Sequence, residues 1–487
     1  MNEAVRELQP ITLWNYFADL NAVPRPSKKE ERAIQFIQTF GEGLGLPTEV
    51  DKVGNVVIRK PATKGYENKA TVVLQSHLDM VHQKNADVDF DFATQGIQMQ
   101  VDGDWVKAKG TTLGADNGIG VATIMAILVS TDIEHPPLEA LFTIDEETGM
   151  TGAKGLSADL LKGKYLLNLD TEDDYELTIG CAGGIDVTCS GQYETKKAND
   201  VQFYQLMIKG LTGGHSGMEI QKGLANVNKL MNRLLVELSR EIKIDISCIN
   251  GGGLRNAIPR ESVAIIAIAS TMVDSLKNAV KKWEDIFKKE YAFTDKNLQV
   301  ALVPHTKQES LLEDQFRENL LQALYACPNG IYRMNPRINE LVQTSNNIAK
   351  VTVQDGIFSI GCLGRSSVDS EKMDLVNAIR AAFAGLKGTI ELSGEYPGWE
   401  PKPDASIVTI MRNLYEELFK EKPLVDAVHA GLECGIIGTH YPDMEMISFG
   451  PNIYGAHSPD EKVQISSVQK FWKYLLEVLK RIPEAKS

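Results

Sequence analysis

The chain has 487 residues, enough for about three domains of ordinary size, or for two if one of them is enlarged. Hydrophobic residues make up 43% of the chain and charged residues 24%, as in ordinary globular proteins, which argues against a disordered chain. The 51 basic and 65 acidic side chains give a formal net charge of −14, which repels phosphate backbones and anionic membrane surfaces. We therefore expect neither nucleic acid nor a membrane as a partner.

The N-terminus and the cysteines indicate a cytoplasmic protein. The first residues, MNEAVRELQP, mix acidic and basic side chains and lack the apolar stretch of a secretory signal. The longest apolar run, residues 119–129, is shorter than the about 20 residues needed to span a bilayer. The six cysteines are scattered without a CxxC pair, which predicts buried, reduced thiols rather than a disulfide framework or a thiolate zinc site.

Short apolar runs of strand length alternate with helical patterns in both outer parts of the chain. Ser27 and Glu30 form a capping-box pattern, which predicts a helix through about Phe40. Helical spacing predicts further helices over 117–128 and 405–419. The predicted strands are 71–75, 138–144, 165–169 and 445–449. Together these elements predict an α/β domain whose mainly parallel sheet is covered by helices.

The middle of the chain has longer alternating strands and amphipathic helices, which predict a second domain of the α+β class inserted into the first. Its first half is predicted as strand 201–209, helix 226–240, strands 242–249 and 262–270, helix 273–289 and strand 298–303. The second half is predicted as helix 311–326, strands 341–349 and 350–360, helix 371–384 and strand 389–392. Both orders are typical of split βαβ units, so we expect two ferredoxin-like halves. The predicted domains are 1–186 with 394–487, and the insertion 187–393.

Several histidines and carboxylates follow the predicted strands of the α/β domain, at the sheet edge where parallel sheets bind ligands. The set comprises His77, Asp79, Asp116, Glu146, Glu147, Asp170 and His457. Imidazoles and carboxylates without a thiolate suit divalent zinc, with cobalt or manganese as alternatives. Each residue alone could be part of a solvated turn or a satisfied core group, but their shared position at strand ends favours a metal centre.

This set is large enough for two metal ions. Asp116 as a bridge would divide the other ligands into two pairs, His77 with Asp170 and Glu147 with His457. Glu146 could then take a proton from the attacking water and deliver it to the leaving nitrogen. Asp79 could accept the other imidazole N–H of His77 and so fix its tautomer. The residues therefore predict a two-metal hydrolase.

The motifs of the chain resemble those of the two-zinc metallopeptidase family, which includes aminoacylases, glutamate-releasing carboxypeptidases and carnosinase-like dipeptidases. The motifs are SHLDMV, GADNGIG, DEETGMTGA, NLDTED, CAGG, GGHSG, GLECGI and GAHSPDE, in family order through nearly the whole chain. Within the family, the likeness is closest to dipeptidases that cleave Xaa-His substrates. The resemblance implies an exopeptidase that hydrolyses dipeptides, including β-alanyl-histidine, with the metal ligands and the general base named above.

The resemblance also implies roles for the inserted domain, which acts as a lid in this family. His215 in GGHSG would stabilise the oxyanion, and Arg365 and Asn256 would hold the terminal carboxylate of the substrate. Arg255 beside Asn256 could do the same work. Smaller members dimerise through a lid of one split βαβ unit. The doubled lid leaves a monomer and a homodimer open, and with them whether His215 acts in its own subunit or in a neighbouring one.

Two other functions stay open from the sequence. An aminoacylase-type amide deacylase would use the same metal ions with a different pocket in the lid. A non-catalytic scaffold that binds a peptide or a metal would keep the fold without the reaction. A scaffold has no use for a general base, so the presence of Glu146 beside the full ligand set favours an enzyme.

Overall fold

The computed structural model describes residues 2–306 and 310–485. The chain forms two compact units. Unit one comprises Met1–Gly180, Trp399–Ala427 and Leu432–Ser487, and unit two comprises Cys181–Gly398 and Val428–Gly431. The chain thus leaves unit one after Gly180 and returns at Trp399, whereas the sequence placed these crossings near residues 186 and 394. The assignment of Val428–Gly431 to unit two has no counterpart in the sequence prediction. Residues 1, 307–309 and 486–487 of the predicted domains lie outside the described residues.

Unit one contains both helices and strands. Before unit two, the elements are α1 (Glu3–Arg6), α2 (Ile11–Asn21), α3 (Glu31–Gly43), β1 (Thr48–Val50), β2 (Val56–Lys60), β3 (Val72–His77), β4 (Met99–Asp102), β5 (Trp105–Ala108), α4 (Ala115–Val129), β6 (Leu138–Thr143), α5 (Thr151–Gly155), β7 (Tyr165–Asn168) and β8 (Glu176–Cys181).

Unit two follows β8 in the chain and has longer strands than unit one. Its elements are β9 (Gly183–Gln192), β10 (Thr195–Lys196), β11 (Val201–Lys209), β12 (Gly214–His215), α6 (Val227–Ile242), β13 (Asp245–Gly252), β14 (Ala257–Ile258), β15 (Ser262–Ala269), α7 (Val273–Glu290), β16 (Gln299–His305), β17 (Leu311–Leu312), α8 (Asp314–Ala326), β18 (Gly330–Met334), β19 (Val342–Gln354), β20 (Ile357–Ser366), α9 (Asp369–Phe383) and β21 (Thr389–Tyr396), with short 3-10 helices at Ile220–Lys222, Ser270–Met272 and Ala384–Leu386. The chain then continues through α10 (Ser406–Phe419), β22 (Leu424–Val428), α11 (Glu433–His440), β23 (Glu445–Ser448), β24 (Ile453–Tyr454), β25 (Lys462–Gln464) and α12 (Ile465–Lys480).

The main sheet of unit one has the strand order β1-β2-β6-β3-β7-β23-β8-β22. Its four central strands, β6, β3, β7 and β23, pair in parallel, and the strands that flank them, β2 and β8, pair antiparallel. Every residue of β3, β6 and β7 is buried, because helices cover a parallel sheet on both faces. The predicted α/β class is confirmed. The sheet is mixed rather than mainly parallel, because antiparallel strands flank its four parallel central strands.

The central strands all end at the same edge of this sheet. His77 is the last residue of β3, and β6 and β7 end shortly before Glu146 and Asp170. Asp116 lies at the start of α4, but its backbone (φ −80°, ψ 110°) is not helical, so the regular helix begins after it. The loop that carries His457 follows β23 and β24. Strand direction therefore brings these side chains to one edge.

The predicted capping box is wrong. Helix α3 begins at Glu31, its N-cap residue is Glu30, and no side chain caps it. The Ser27 hydroxyl instead donates a hydrogen bond to Asp79 Oδ2 at 2.8 Å. The Ser-x-x-Glu pattern was misleading because a buried carboxylate that is distant in sequence takes the serine hydroxyl.

The large sheet of unit two contains two split βαβ halves, as the sequence predicts. Its order is β16-β11-β15-β13-β19-β20-β9-β21, with β18 paired to β19. One half runs β11-α6-β13-β15-α7-β16, and the other runs β9-α8-β19-β20-α9-β21. The halves join through the antiparallel pair β13 and β19. Strand β9 belongs to the second half but precedes the first half in the chain, so the first half is nested within the second. The sequence prediction did not include β9.

Two boundaries in the second half also differ from the prediction. The predicted helix 311–326 begins only at Asp314, because Leu311–Leu312 forms strand β17. The predicted break between residues 349 and 350 is wrong, since β19 continues to Gln354. The hairpin turn lies at Asp355 and Gly356, whose φ angles are 54° and 77°. An Asp-Gly pair suits such a turn because both positions need positive φ.

The cysteines are buried for the most part, as the sequence predicts. None of the six cysteines, all of which are among the described residues, forms a disulfide bond; five of them are buried and Cys248 is half-buried. Within residues 2–306 and 310–485, no helix combines the length and the apolarity that crossing a membrane would need.

Candidate metal centre

Asp116 lies between two histidines of unit one. Its Oδ1 is 3.1 Å from His77 Nε2, and its Oδ2 is 3.2 Å from His457 Nε2. Asp170 Oδ1 lies 3.5 Å from His77 Nε2, and Glu147 Oε2 lies 3.0 Å from His457 Nε2. The structure therefore forms two groups that share Asp116, and within each group the candidate ligand atoms lie within 4.8 Å of one another. Glu146 joins His77 and Glu147 in a third group of the same compactness.

Asp79 is fully buried behind His77 and connects several parts of the centre. Its Oδ1 lies 3.3 Å from His77 Nδ1 and accepts the backbone N–H of Glu146 at 3.0 Å. Its Oδ2 accepts the N–H of Glu147 at 3.2 Å and the Ser27 hydroxyl at 2.8 Å. His77 Nδ1 also lies 3.1 Å from the Asp79 carbonyl oxygen, so Asp79 orients the His77 ring through both groups, and its carboxylate fixes the start of the loop after β6.

Two polar residues that the sequence analysis left out also support the centre. The Asn117 amide donates to Asp170 Oδ1 and so orients that carboxylate. Glu433 is buried, and its Oε2 accepts from Gln75 Nε2 at 2.7 Å and from Thr143 Oγ1 at 2.6 Å. Gln75 lies in β3 and Thr143 ends β6, so Glu433 joins two strands whose ends form the centre. The available signal for Glu433 was its place in the GLECGI motif.

Burial and the crowding of carboxylates shift the pKa values at this centre. Burial raises the pKa of Glu146 well above its ordinary value; the charge of His77 opposes this shift and neighbouring carboxylates add to it. Hydrogen bonds to Asp116 and Glu147 raise the pKa of His457 to about 11. Neighbouring carboxylates contribute to both shifts, and a site with such an excess of negative charge attracts cations.

Unit two contains a second cluster, which we call the basic cluster: His215, Arg365 and His429, around Gly217. His215 pairs with Ala257 in the small sheet of β12 and β14. A Cβ atom on Gly217 would lie 2.1 Å from the His429 carbonyl oxygen, 3.1 Å from His215 Cε1 and 3.2 Å from Arg365 Nε. Only glycine therefore allows this approach, and the structure brings the sequence-predicted His215 and Arg365 together.

Hydrogen bonds define the tautomer of His215. Its Nδ1 accepts the backbone N–H groups of Gly217 at 3.2 Å and of Met218 at 3.0 Å. A ring nitrogen that accepts carries no proton, so the proton of the neutral ring is on Nε2. Burial and the charge of Arg365 lower the pKa of His215, which favours this neutral form. His215 thus presents Nε2–H as a donor.

Arg365 and His429 are both buried in the basic cluster. Arg365 Nη1 donates to the Tyr396 hydroxyl at 2.8 Å, whereas its Nε has no hydrogen-bond partner among the described residues. His429 Nε2 lies 2.7 Å from Ser345 Oγ. Burial, with the charges of Arg365 and His215, lowers the pKa of His429 to about 3. A buried guanidinium with an unused donor is suited to bind an anion.

The two candidates in GGGLRNAIP have different surroundings. The Arg255 guanidinium donates to the Cys362 carbonyl at 2.9 Å and to Thr188 Oγ1 at 2.6 Å. The Asn256 side chain is exposed, and the Asn256 carbonyl accepts the N–H of Ser216, which follows His215. Arg255 is therefore committed to bonds within unit two, and Asn256 is the better candidate of the two for contact with a substrate.

The comparison with protein families shows the class of the protein: the chain belongs to peptidase family M20/M25/M40, whose family model matches residues 73–481. The predicted family is thus confirmed, and the chain is a hydrolase that acts on peptide bonds.

Individual relatives match over the whole chain. The cytosol non-specific dipeptidase of Escherichia coli (strain K12) is 45% identical over 480 residues, which cover 98% of this chain and 99% of the relative. The crystal structure of aminoacylhistidine dipeptidase from Vibrio alginolyticus superposes with a TM-score of 0.94 at 42% identity and covers 100% of both chains. Aminopeptidase PepT from Bacillus cereus shares the fold, with a TM-score of 0.57 at 16% identity over 98% of this chain and 99% of its own.

Proposed function

We propose that the chain is a two-metal dipeptidase that cleaves Xaa-His dipeptides, including β-alanyl-histidine. The observation that carries the proposal is the position of Asp116, which presents one carboxylate oxygen to His77 and the other to His457. The dipeptidase activities named for the relatives from Escherichia coli and Vibrio alginolyticus support the substrate class.

The residues present fit a pair of divalent cations. His77 and Asp170 would hold one ion, Glu147 and His457 the other, and Asp116 both. Glu147 Oε1 is buried and has no hydrogen-bond partner among the described residues, as expected for an oxygen that binds a cation. Nitrogen and carboxylate ligands without sulfur favour Zn²⁺, with Co²⁺ or Mn²⁺ as alternatives. When bound, such ions polarise the carbonyl of the scissile bond and lower the pKa of a water.

Residues of the chain would then perform the proton transfers. Glu146 would accept a proton from the water that attacks the scissile carbonyl carbon. It would deliver this proton to the leaving nitrogen as the C–N bond breaks. Asp79 Oδ1 is close to His77 Nδ1 and would accept its proton in a hydrogen bond. Asp79 would thereby hold His77 in the tautomer whose unprotonated Nε2 faces Asp116.

The basic cluster would recognise the anionic parts of the substrate. His215 would donate its Nε2–H to the oxyanion that develops on the carbonyl oxygen. Arg365, with its unused Nε–H, and Asn256 would bind the free C-terminal carboxylate. This requirement for a carboxylate would restrict the enzyme to short peptides with a free C-terminus.

We further propose a cytoplasmic location, which the name of the cytosolic relative supports. The partners would be small dipeptides, and the protein would act as a monomer or a homodimer.

The proposal is tested by stripping the enzyme with a chelator, reloading it with zinc, manganese or cobalt, and offering β-alanyl-histidine beside matched free, N-acetylated and C-amidated dipeptides. We expect metal-dependent cleavage of the free dipeptides and refusal of the amidated ones. Cleavage of the acetylated substrates alone would identify a deacylase instead. Lack of cleavage with every metal would favour a binding scaffold.

A further inference from the structure

Two buried charged residues lie behind the metal centre of unit one but outside its proposed ligand set. Glu461 is 2% exposed and lies four residues after His457. Arg25 is 1% exposed and follows helix α2. Burying a charge costs free energy unless its hydrogen bonds are made, so the bonds of these two residues indicate their task.

The carboxylate of Glu461 binds a run of consecutive backbone N–H groups. Its Oε2 accepts from Leu113 at 2.6 Å and Gly114 at 2.9 Å, and its Oε1 accepts from Ala115 at 2.7 Å and Asp116 at 3.2 Å. These N–H groups lie where the chain enters α4, at which a helix provides no internal acceptors. Glu461 therefore fixes the backbone that carries Asp116 to the loop that carries His457.

The guanidinium of Arg25 binds the same segment from another direction. Its Nη2 donates to the Gly114 carbonyl at 2.6 Å, and its Nη1 donates to the carbonyls of Leu78 at 3.0 Å and Asp79 at 3.1 Å. The last two carbonyls belong to the backbone directly after β3, which ends at His77. Arg25 therefore fixes the entrance of α4 to the end of β3.

Both residues meet at Gly114, whose N–H bonds Glu461 and whose carbonyl bonds Arg25. Gly114 has φ +69°, and a Cβ atom there would lie 2.5 Å from Arg25 Nη2. A glycine is thus required for both the backbone angle and the close approach.

We propose that Glu461 and Arg25 are positioning residues that hold the shared carboxylate of Asp116 at a fixed place between the two histidine-bearing segments. The inference rests on the proposed metal centre. One group of ligands is built on the end of β3 and the other includes the loop of His457. Glu461 ties the entrance of α4 to the loop of His457, and Arg25 ties the same entrance to the end of β3.

The decisive variant is Glu461→Gln, because an amide keeps one acceptor oxygen and turns an NH₂ group toward two backbone donors. The matched control is Glu139→Gln. Glu139 is a 3% exposed carboxylate at the other end of β6, and its Oε2 accepts the N–H groups of Lys162 and Gly163 at 2.8 and 2.9 Å. For both variants we would measure metal affinity by competition with a chelator, the visible absorption of the Co²⁺ form, and the melting temperature of the metal-free protein.

We expect E461Q to bind its weaker metal ion about 10- to 100-fold less tightly than wild type. The Co²⁺ absorption bands should also shift in E461Q, whereas E139Q keeps wild-type values for both measurements. At saturating metal, kcat of E461Q should fall while KM stays within about twofold, since the substrate contacts are unchanged. Metal affinity and Co²⁺ spectra that match those of E139Q would overturn the proposal. If wild type and E139Q bind no metal, the metal centre itself is wrong, which is a separate result.

Arg25→Lys gives an independent answer and decides the question if E461Q does not fold. A lysine ammonium keeps the charge but lacks the planar fork that reaches both Gly114 and the end of β3. The control is Arg59→Lys, since Arg59 Nη2 also donates to a carbonyl of unit one, that of Leu160 at 2.8 Å. We expect weaker metal binding and a shifted Co²⁺ spectrum in R25K but not in R59K. Equal values in both variants would overturn the role of Arg25.

Discussion

The metal centre of unit one and the basic cluster of unit two place histidines in opposite electrostatic surroundings. In unit one, hydrogen bonds to Asp116 and Glu147 raise the pKa of His457 to about 11. In unit two, burial and the charge of Arg365 lower the pKa of His429 to about 3. The same ring thus lies beside carboxylates in one unit and is buried beside a guanidinium in the other. The surroundings, rather than the residue type, suit the first cluster to cations and the second to anions.

Removing the carboxylate of Asp116, which both ligand groups share, should have the largest effect on metal binding and hydrolysis. We expect Asp116→Ala to lose both metal ions and to reduce hydrolysis to background, because each ligand group loses a member. The measurement is metal content after dialysis, together with turnover of a free dipeptide. Asp173→Ala, which removes an acidic neighbour outside the two groups, should keep both ions. Two ions retained by D116A would show that the bridge is misassigned.

Replacing the proposed general base should separate metal binding from chemistry. We expect Glu146→Gln to keep two ions but to lower kcat by about 10³-fold, within the range typical of general acid–base groups. Metal content and kcat measured on the same preparation check this expectation. A variant with nearly wild-type turnover would remove Glu146 from the mechanism.

Much of unit one follows from its sequence, because buried parallel strands are recognisable as short apolar runs and their ends share one edge. The strand ends that carry His77 and Asp170 were predicted on this basis, and their roles as ligands stay a prediction. Arg25 and Glu461 could not be selected in this way, since a buried charge and a solvated one have the same letter in a sequence. Most of their partners are backbone groups, which leave no trace in residue type.

Unit two shows a different limit of the sequence. The periodicity predicts most of its strands, and β11 has the predicted bounds. The nesting of the two halves depends on the pairing of β9 with β20 and β21, which are more than 160 residues later in the chain. Local patterns contain no information on such pairing. His429 likewise joins Arg365 and Gly217 only through the fold.

Removing the positive charge of the basic cluster should weaken recognition of the carboxylate. We expect Arg365→Met to lower kcat/KM for free dipeptides by about 100-fold, the cost of losing a charged hydrogen-bond partner. The preference of the enzyme for free over C-amidated dipeptides should shrink by a similar factor. Arg333→Met, at an exposed arginine of the same unit, serves as control. A preference for free dipeptides unchanged in R365M would contradict the assignment.

The smallest expected effect is a dependence of stability on pH that comes from His429. Its folded-state pKa of about 3 lies below the unfolded value of about 6.5, so the unfolded chain binds more protons between these values. The contribution of His429 to the free energy of unfolding is complete above about pH 6.5. It decreases as the pH falls, by about 2 kcal/mol at pH 5. Urea unfolding of wild type and His429→Gln at pH 7 and pH 5 measures this difference. An equal pH dependence in both proteins would contradict it.

The most direct test of the central claim is the anomalous diffraction of crystals of the metal-loaded protein, measured on both sides of the absorption edge of the metal. We expect two peaks, one on each side of Asp116. One peak should contact His77 and Asp170, and the other should contact Glu147 and His457. A single peak, or peaks that do not contact Asp116, would show that Asp116 does not join two metal ions.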